Sequence, residues 1–332
     1  MLTLKNVRYI IAVTPIVKVG NDKMNFVENL RKGSTICFFG DSITEAGLWE
    51  SEIFSFFAEN YSEKLIKIYN CGSGGDSVTA ALDRVYGDCL AFSPSYVSVM
   101  FGMNDVGREY YASDDAENLK MRDAAFEKYK KNMTSLVKII ASSGAELILC
   151  TPTRYDDFDK TSDVPIDSVN DGLARCAEFV RELAEKYNCI LVDFHKEMLQ
   201  FTNLPKRIIN DDRVHPNAYG NHLMAQVFLK TLGLIDKIDY NEYTEKNENN
   251  NRRRLVESIC IHIRLAENFM RWGKFDKNTH TVEERKNWLK NYDTMGQVWR
   301  DNVIKEYLKY ADYKDMYIAE LVKLTNLMYG NS

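Results

Sequence analysis

Residues 34–47 read STICFFGDSITEAG, and they indicate a strand, a turn and a helix in that order. Residues 35–39 form an unbroken apolar and β-branched run, which is typical of a strand buried on both faces of a parallel sheet. A short glycine-containing turn follows, and a helical pattern begins near Leu48. Ser42 is therefore expected at the carboxyl end of a strand, where open α/β sheets bind ligands. Free N–H groups at the start of a helix stabilise negative charge that develops nearby, so this position is suitable for a nucleophilic serine.

Strand and helix patterns alternate as far as residue 235. Asp76 or Ser77 is expected to cap the helix that follows them. Right-handed crossovers place every strand-end turn on one edge of the sheet, and the polar segment 156–163 is expected to form a rim loop there. The alternation predicts an α/β fold with a doubly wound parallel sheet. Further strands are predicted at 66–70, 96–101, 146–150 and 190–193, and helices at 48–60, from residue 78, 116–141, 169–187 and 218–232.

Composition places the chain among globular proteins, with 45% hydrophobic and 27% charged residues over 332 positions. No run approaches the twenty or so apolar residues of a membrane span. The net charge of −5 argues against a nucleic-acid partner. Seven cysteines without a C-x-x-C pair indicate a reducing compartment, no disulfide framework and no thiolate zinc site. We expect a cytoplasmic protein, and secretion is the minority alternative because the apolar segment 9–17 lacks a small-x-small cleavage site.

Composition also divides the chain into segments. We expect an N-terminal extension at 1–32 and a catalytic domain at 33–239. The polar segment 240–254 is free of apolar anchors and is typical of a linker. Apolar stripes at helical spacing predict an all-helical appendage at 255–332, which is a candidate surface for homo-oligomer formation.

Polar side chains at the predicted strand ends suggest acyl-transfer chemistry. Serine becomes a good nucleophile when a base takes its proton, and His215 can do so if a carboxylate holds its other ring nitrogen. Asp212 lies three residues earlier and can orient that ring. A developing oxyanion needs fixed donors, and the candidates are the backbone N–H groups of Ser42 and Gly75 and the amide of Asn104.

Four segments together resemble the sequence blocks of the SGNH (GDSL-type) hydrolases, in the order of that family. They are GDS at 40–42, NCGSGGDS at 70–77, GMND at 102–105 and DRVHPN at 212–217. The resemblance implies a flavodoxin-like three-layer α/β/α fold and ester hydrolysis through an acyl-serine, with no cofactor and no metal. It also implies that Ser42 is the nucleophile, that His215 and Asp212 are base and orienter, and that Ser42, Gly75 and Asn104 form the oxyanion hole. Ile43 stands where leucine is common, and the glycine-rich second block leaves Gly72 and Gly74 as alternative donors.

The predicted substrate is a short-chain ester, in particular an acetyl ester, of a polar alcohol such as a carbohydrate. The polar rim at 153–157 favours this hypothesis, and the expected substrate contacts are Asp41, Arg154, Tyr155 and Arg213. A lipolytic esterase or thioesterase and an acyltransferase are the alternatives, and a non-catalytic glycan-binding protein is a weaker one. A metal site formed by His195, His215 and His222 is disfavoured because their spacing fits no familiar site.

Overall fold

The computed structural model describes residues 26–156, 166–201, 204, 206–238 and 240. The predicted helical appendage, nearly all of the predicted linker and most of the N-terminal extension lie outside these residues. The strands are β1 (Thr35–Gly40), β2 (Lys67–Asn70), β3 (Tyr96–Met100), β4 (Glu146–Cys150) and β5 (Ile190–Val192). The α-helices of the described part are α1 (Phe26–Asn29), α2 (Ser42–Glu45), α3 (Leu48–Asn60), α4 (Val78–Asp88), α5 (Ala116–Ser142), α6 (Ile166–Tyr187), α7 (Phe194–Phe201) and α8 (Ala218–Thr231).

All five strands are parallel and lie in the order β2-β1-β3-β4-β5. This order is that of flavodoxin-like folds, and it confirms the predicted doubly wound sheet. Every residue of β1 is buried, as its unbroken apolar run predicts. The direction of winding reverses beside β1, because β2 lies on one side of it and β3 on the other. Ser42 follows β1 directly and therefore lies at the switch point where such folds bind ligands.

Helices cover the two faces of the sheet, and alternate side chains of β1 point to different layers. On one face Phe38 packs against Trp49 of α3 and Phe228 of α8, with ring centroids 5.0 and 5.4 Å away. On the other face the guanidinium of Arg84 in α4 lies 4.3 Å from the centre of the Phe39 ring. Helices α5 and α6 continue this second layer beside α4. Both faces of β1 are thus packed against helices.

The packed body begins before the predicted boundary at residue 33. Phe26 and Leu30 are buried, and the Phe26 ring lies 4.8 Å from that of Tyr96. Residues 26–32 therefore belong to the core of the domain and not to a separate extension, which corrects the boundary. These two side chains close the amino-terminal end of the sheet beside β3.

Helix α7 and the capping of α4 are among the features that differ from the sequence prediction. Helix α7 begins two residues after the end of β5, and the sequence analysis did not predict it. The side chain of Ser77 makes no capping bond to α4, and Asp76 instead binds Arg84. The cap of α4 is supplied from a distant loop, where Asp105 Oδ1 accepts the N–H of Val78 at 2.9 Å. Within the described residues, no helix has both the length and the apolar character that a bilayer span requires.

Candidate active site

Ser42 is held at the start of α2 by the residues on either side of it. Asp41 caps this helix, because its Oδ1 accepts the N–H of Ile43 at 3.0 Å. Gly40 precedes it at the end of β1, and a side chain there would meet the carbonyl oxygen of Met100 at 2.9 Å and the side chain of Thr44. Glycine is therefore required for the tight exit from β1 that presents Ser42 to the sheet edge.

His215 lies between Ser42 and Asp212. Its Nε2 is 2.7 Å from the Oγ of Ser42, and its Nδ1 is 2.7 Å from Oδ2 of Asp212. The other carboxylate oxygen of Asp212 accepts the N–H groups of Val214 and His215, each at 2.9 Å. Partial burial raises the pKa of Asp212, but the hydrogen bonds from His215 and Val214 outweigh burial and lower it below its usual value. The carboxylate is thus ionised and fixed beside the imidazole.

The turn that carries these two residues is closed by backbone bonds. Asn210 N–H donates to the carbonyl of His215 at 2.8 Å, and Ile209 forms an antiparallel bridge with Pro216. Arg213 has a φ of +67°, a left-handed conformation that non-glycine residues seldom adopt. Its carbonyl accepts the N–H of Asp156 at 2.9 Å, so the loop after β4 holds the turn in place. This support fixes the imidazole relative to Ser42.

The predicted oxyanion donors differ in how much of their hydrogen-bonding capacity is used. Asn104 Nδ2 donates one hydrogen to the carbonyl of Asp76 at 2.8 Å, and a second hydrogen remains on the same amide. Gly72 N–H donates to Oδ1 of Asn70 at 3.0 Å, which removes Gly72 as an alternative donor. Gly75 is exposed and has a φ of +71°. No hydrogen bond of the Gly74 or Gly75 N–H is seen among the described residues.

Comparison with known proteins identifies the family. Residues 38–223 match the model of the GDSL-like lipase/acylhydrolase family, which covers more than half of the chain. The chain belongs to this family. An acetylxylan esterase from Geobacillus stearothermophilus is 27% identical over 219 residues, which are 60% of this chain and 94% of that enzyme. The match and this relative support a carboxylic ester hydrolase of the SGNH type.

Solved structures share the fold of this esterase. A mutant of an acetyl-xylooligosaccharide esterase from Geobacillus is 25% identical, with a TM-score of 0.53 over 63% of this chain and 99% of that one. A gut microbial diltiazem-metabolizing enzyme is 15% identical, with a TM-score of 0.61 over 90% of this chain and 95% of that one. At this identity the second likeness concerns the fold alone.

Arg84 links three segments of the site in this esterase, and sequence analysis did not single it out. Its Nε donates to Asp76 at 2.5 Å, its Nη1 to the carbonyl of Cys71 at 2.7 Å, and its Nη2 to the carbonyl of Gly40 at 3.0 Å. The side chain is buried, as is Asp88 on the same helix face. A sequence signal did exist, because Arg84 and Asp88 share the apolar face of α4 with Ala81.

Two carboxyl groups are buried beneath the site. Burial raises the pKa of Asp41 to about 6 and that of Asp105 to about 7. Asp41 is 2% exposed and its carboxylate caps α2, which does not fit the expected contact with substrate. We correct that expectation, because the geometry gives Asp41 a supporting position behind Ser42.

The remaining predicted substrate contacts lie in or beside the loop after β4. The Arg213 guanidinium carbon is 5.2 Å from the centre of the Tyr155 ring, next to the turn with His215. Arg154 instead approaches His195, with Nη1 and Nε2 at 3.3 Å. Burial, together with the charge of Arg154, lowers the pKa of His195 to about 4.

The three histidines of the disfavoured metal site do not converge. His195 lies beside Arg154, His215 beside Ser42, and His222 Nδ1 is 2.8 Å from Oε2 of Glu52. Each imidazole therefore has a different neighbour on a different element. Among the described residues, these three imidazoles do not form a group at metal-ligand spacing.

Proposed function

We propose that this esterase removes acetyl or other short acyl groups from a polar alcohol such as a carbohydrate, through an acyl intermediate on Ser42. The observation that carries the proposal is the continuous chain of hydrogen bonds from Ser42 Oγ through His215 to Asp212. A serine hydroxyl, an imidazole and an ionised carboxylate in this order form the arrangement that activates serine as a nucleophile.

In the first half of the reaction Ser42 Oγ attacks the ester carbonyl while His215 Nε2 takes the hydroxyl proton. Asp212 stabilises the imidazolium that results and keeps Nε2 directed at the serine. The carbonyl oxygen becomes an oxyanion, for which the donors are the N–H groups of Ser42 and Gly75 and the second hydrogen of the Asn104 amide. His215 then gives its proton to the leaving alcohol, and the acyl group remains on Ser42.

In the second half of the reaction water replaces the alcohol. His215 takes a proton from water as the water attacks the acyl carbon, and the same donors bind the second oxyanion. Collapse of this intermediate breaks the bond to Ser42 Oγ, which regains its proton from His215. The products are a carboxylic acid and the free enzyme.

The surroundings of the site favour a polar alcohol. The side chains of His215 and Asp212 are 37% and 49% exposed, so a bulky hydrophilic alcohol has access to the base. Arg213, Tyr155 and the ion pair of Arg207 with Asp156 provide polar and aromatic groups beside the turn. The Geobacillus relative is an acetylxylan esterase, which supports the same class of substrate for this chain.

The test compares acyl chain lengths and alcohols with a matched pair of serine variants. We expect wild-type protein to hydrolyse p-nitrophenyl acetate faster than the octanoate and to release acetate from acetylated xylooligosaccharides. Ser42→Ala should lose this activity, whereas Ser135→Ala, at a hydroxyl that bonds the Lys131 carbonyl in α5, should retain it. Activity that rises with chain length would indicate a lipolytic enzyme. Transfer of acetyl to an added sugar in preference to water would indicate an acyltransferase, and activity on none of these esters would contradict the proposal.

A further inference from the structure

Three cysteines from three elements meet in the layer between the sheet and α4. Cys37 lies in β1, Cys71 follows β2, and Cys89 follows α4. All three are fully buried, with 0% exposure, and their Sγ atoms lie within 4.8 Å of one another. The sequence predicted no thiolate zinc site because the cysteines form no C-x-x-C pair. The fold brings them together, so spacing alone could not reveal the cluster.

The distances suit a single metal ion at the centre of the cluster. Bonds between thiolate sulfur and a metal such as zinc are about 2.3 Å long, so three sulfurs around a trigonal ion lie about 4 Å apart. Each pair of Sγ atoms therefore has to close by no more than about 0.8 Å. Side-chain rotation achieves a change of this size without moving the strand. Two of the thiols also make long contacts to backbone carbonyls, with Cys37 Sγ 3.7 Å from the Cys89 oxygen and Cys71 Sγ 3.8 Å from the Tyr69 oxygen.

A cation lies beside the cluster, namely the guanidinium of Arg84. Arg84 is fixed against the cluster, because its Nη1 donates to the carbonyl of Cys71. The thiolate is the form of cysteine that binds metals, and the positive charge of Arg84 offsets part of the negative charge that three thiolates bring.

The donor set selects the class of ion. Within the described part of the chain, the group contains three sulfurs and no imidazole or carboxylate at the same spacing. Structural zinc sites almost always have four protein ligands, which this group does not supply. Soft ions prefer sulfur, and copper(I) and cadmium accept all-thiolate surroundings.

We propose that Cys37, Cys71 and Cys89 form a buried three-thiolate site for one soft, thiophilic metal ion. On binding, the three S–H groups release their protons to solvent and three sulfur–metal bonds form, with no change in oxidation state. Cys71 begins the loop that carries Gly75, and Arg84 connects Cys71 to the end of β1. The site therefore lies beneath the esterase centre and is separate from it. Because the sulfurs are buried, we expect binding to require local opening and to be slow.

The test uses reduced full-length protein and cadmium as the probe ion. We expect one Cd²⁺ per chain, an ultraviolet sulfur-to-cadmium charge-transfer band that grows slowly, and release of up to three protons in weakly buffered solution. X-ray absorption of the loaded protein should show three sulfur neighbours. Absence of the band, or oxygen and nitrogen neighbours only, would overturn the proposal without any variant.

Variants locate the site among the seven cysteines. Cys37→Ser and Cys89→Ser should each weaken Cd²⁺ binding at least tenfold, whereas Cys176→Ser, at a buried cysteine of α6 outside the cluster, should leave it unchanged. Far-ultraviolet circular dichroism and hydrolysis of p-nitrophenyl acetate establish that the variants are folded. If Cys37→Ser fails to fold, Cys89→Ala gives the same test at the end of α4. Equal binding by the wild type and the folded cluster variants would assign the ion to other cysteines and contradict the proposal.

Discussion

At the scale of single residues, the geometry around His215 depends on which atom each neighbour offers. Asp212 presents two acceptor oxygens, one to backbone N–H groups and one to Nδ1 of the ring. A ring that donates from Nδ1 leaves Nε2 free to accept the proton of Ser42. The tautomer needed for a general base is therefore selected by Asp212.

This selection predicts the effect of Asp212→Asn. The asparagine oxygen can still accept the N–H groups of the turn, but its amide nitrogen then faces Nδ1 and favours the opposite tautomer. We expect kcat to fall by about 10²–10⁴-fold with little change in KM, measured on p-nitrophenyl acetate. Asp211→Asn is the matched control, since Asp211 is adjacent and fully exposed. A kcat for Asp212→Asn equal to that of the control would count against the role of Asp212.

A second residue-scale prediction concerns the buried carboxyl of Asp105. Because burial raises its pKa from 3.8 to about 7, the folded protein holds this proton more tightly than the unfolded chain. Its contribution to stability is full below pH 4 and is lost as the pH rises through about 7, amounting to no more than about 4 kcal/mol. Asp105→Asn keeps an oxygen for the Val78 cap and removes the charge. We therefore expect the Tm of this variant, relative to wild type, to increase between pH 5 and pH 8.

Asp115→Asn is the control for this measurement. Asp115 also caps a helix, but it is exposed, and hydrogen bonds from Asn118 and Ser113 lower its pKa. Its stabilising effect is lost only in acid, so its Tm relative to wild type should stay constant between pH 5 and pH 8. A flat difference for Asp105→Asn over the same interval would show that its carboxyl does not titrate there.

At the scale of elements, Arg84 of α4 connects the ends of β1 and β2 with the loop that carries Gly75. Arg84→Met removes the bonds to Gly40, Cys71 and Asp76 and leaves the Asp76 carboxylate without its guanidinium. We expect the free energy of unfolding to fall by about 3–5 kcal/mol and kcat to fall with it. Arg84→Lys keeps the charge with fewer bonds and should restore part of kcat.

A partly buried arginine of α5 provides a control that distinguishes a loss of stability from a loss of site positioning. Arg122 of α5 donates to two backbone carbonyls and lies 4.3 Å from the Tyr111 ring centre, as Arg84 does with Phe39. Arg122→Met should destabilise the protein while kcat of the folded fraction stays near the wild-type value. If both variants lowered kcat equally per folded molecule, Arg84 would have no special effect on the site.

The secondary-structure elements and the loops between them differ in how well the sequence predicts them. Strands β1, β3 and β4 were predictable because a central parallel strand is buried on both faces and reads as a continuous apolar run. The loops with Ser42, Asn104 and His215 were predictable because their polar residues follow such strands or form a recognisable block. The capping of α4 by Asp105 and the hydrogen bonds of Arg84 were not predictable. These contacts join segments that are far apart in the chain. Helix α7 was missed because no glycine or proline separates it from β5.

At the scale of the whole molecule, the described part is one layered domain, and the assignment of 255–332 to a helical appendage stays a prediction. The Geobacillus relative matches 219 residues, which are 94% of its own length, so an esterase of this family needs little beyond the domain. We expect a chain ending at residue 251 to fold and to keep its kcat on p-nitrophenyl acetate. Its mass in solution, beside that of the full chain, tests whether the appendage mediates oligomer formation. Loss of folding in the shortened chain would contradict the predicted boundary.

Covalent labelling tests most directly whether Ser42 is the nucleophile. A fluorophosphonate reacts with a serine that a neighbouring base has activated, and peptide mass spectrometry identifies the residue that carries the label. We predict one label per chain, on Ser42, that is lost in Ser42→Ala and greatly slowed in His215→Ala. A label on a different residue, or none on active wild-type enzyme, would contradict the account.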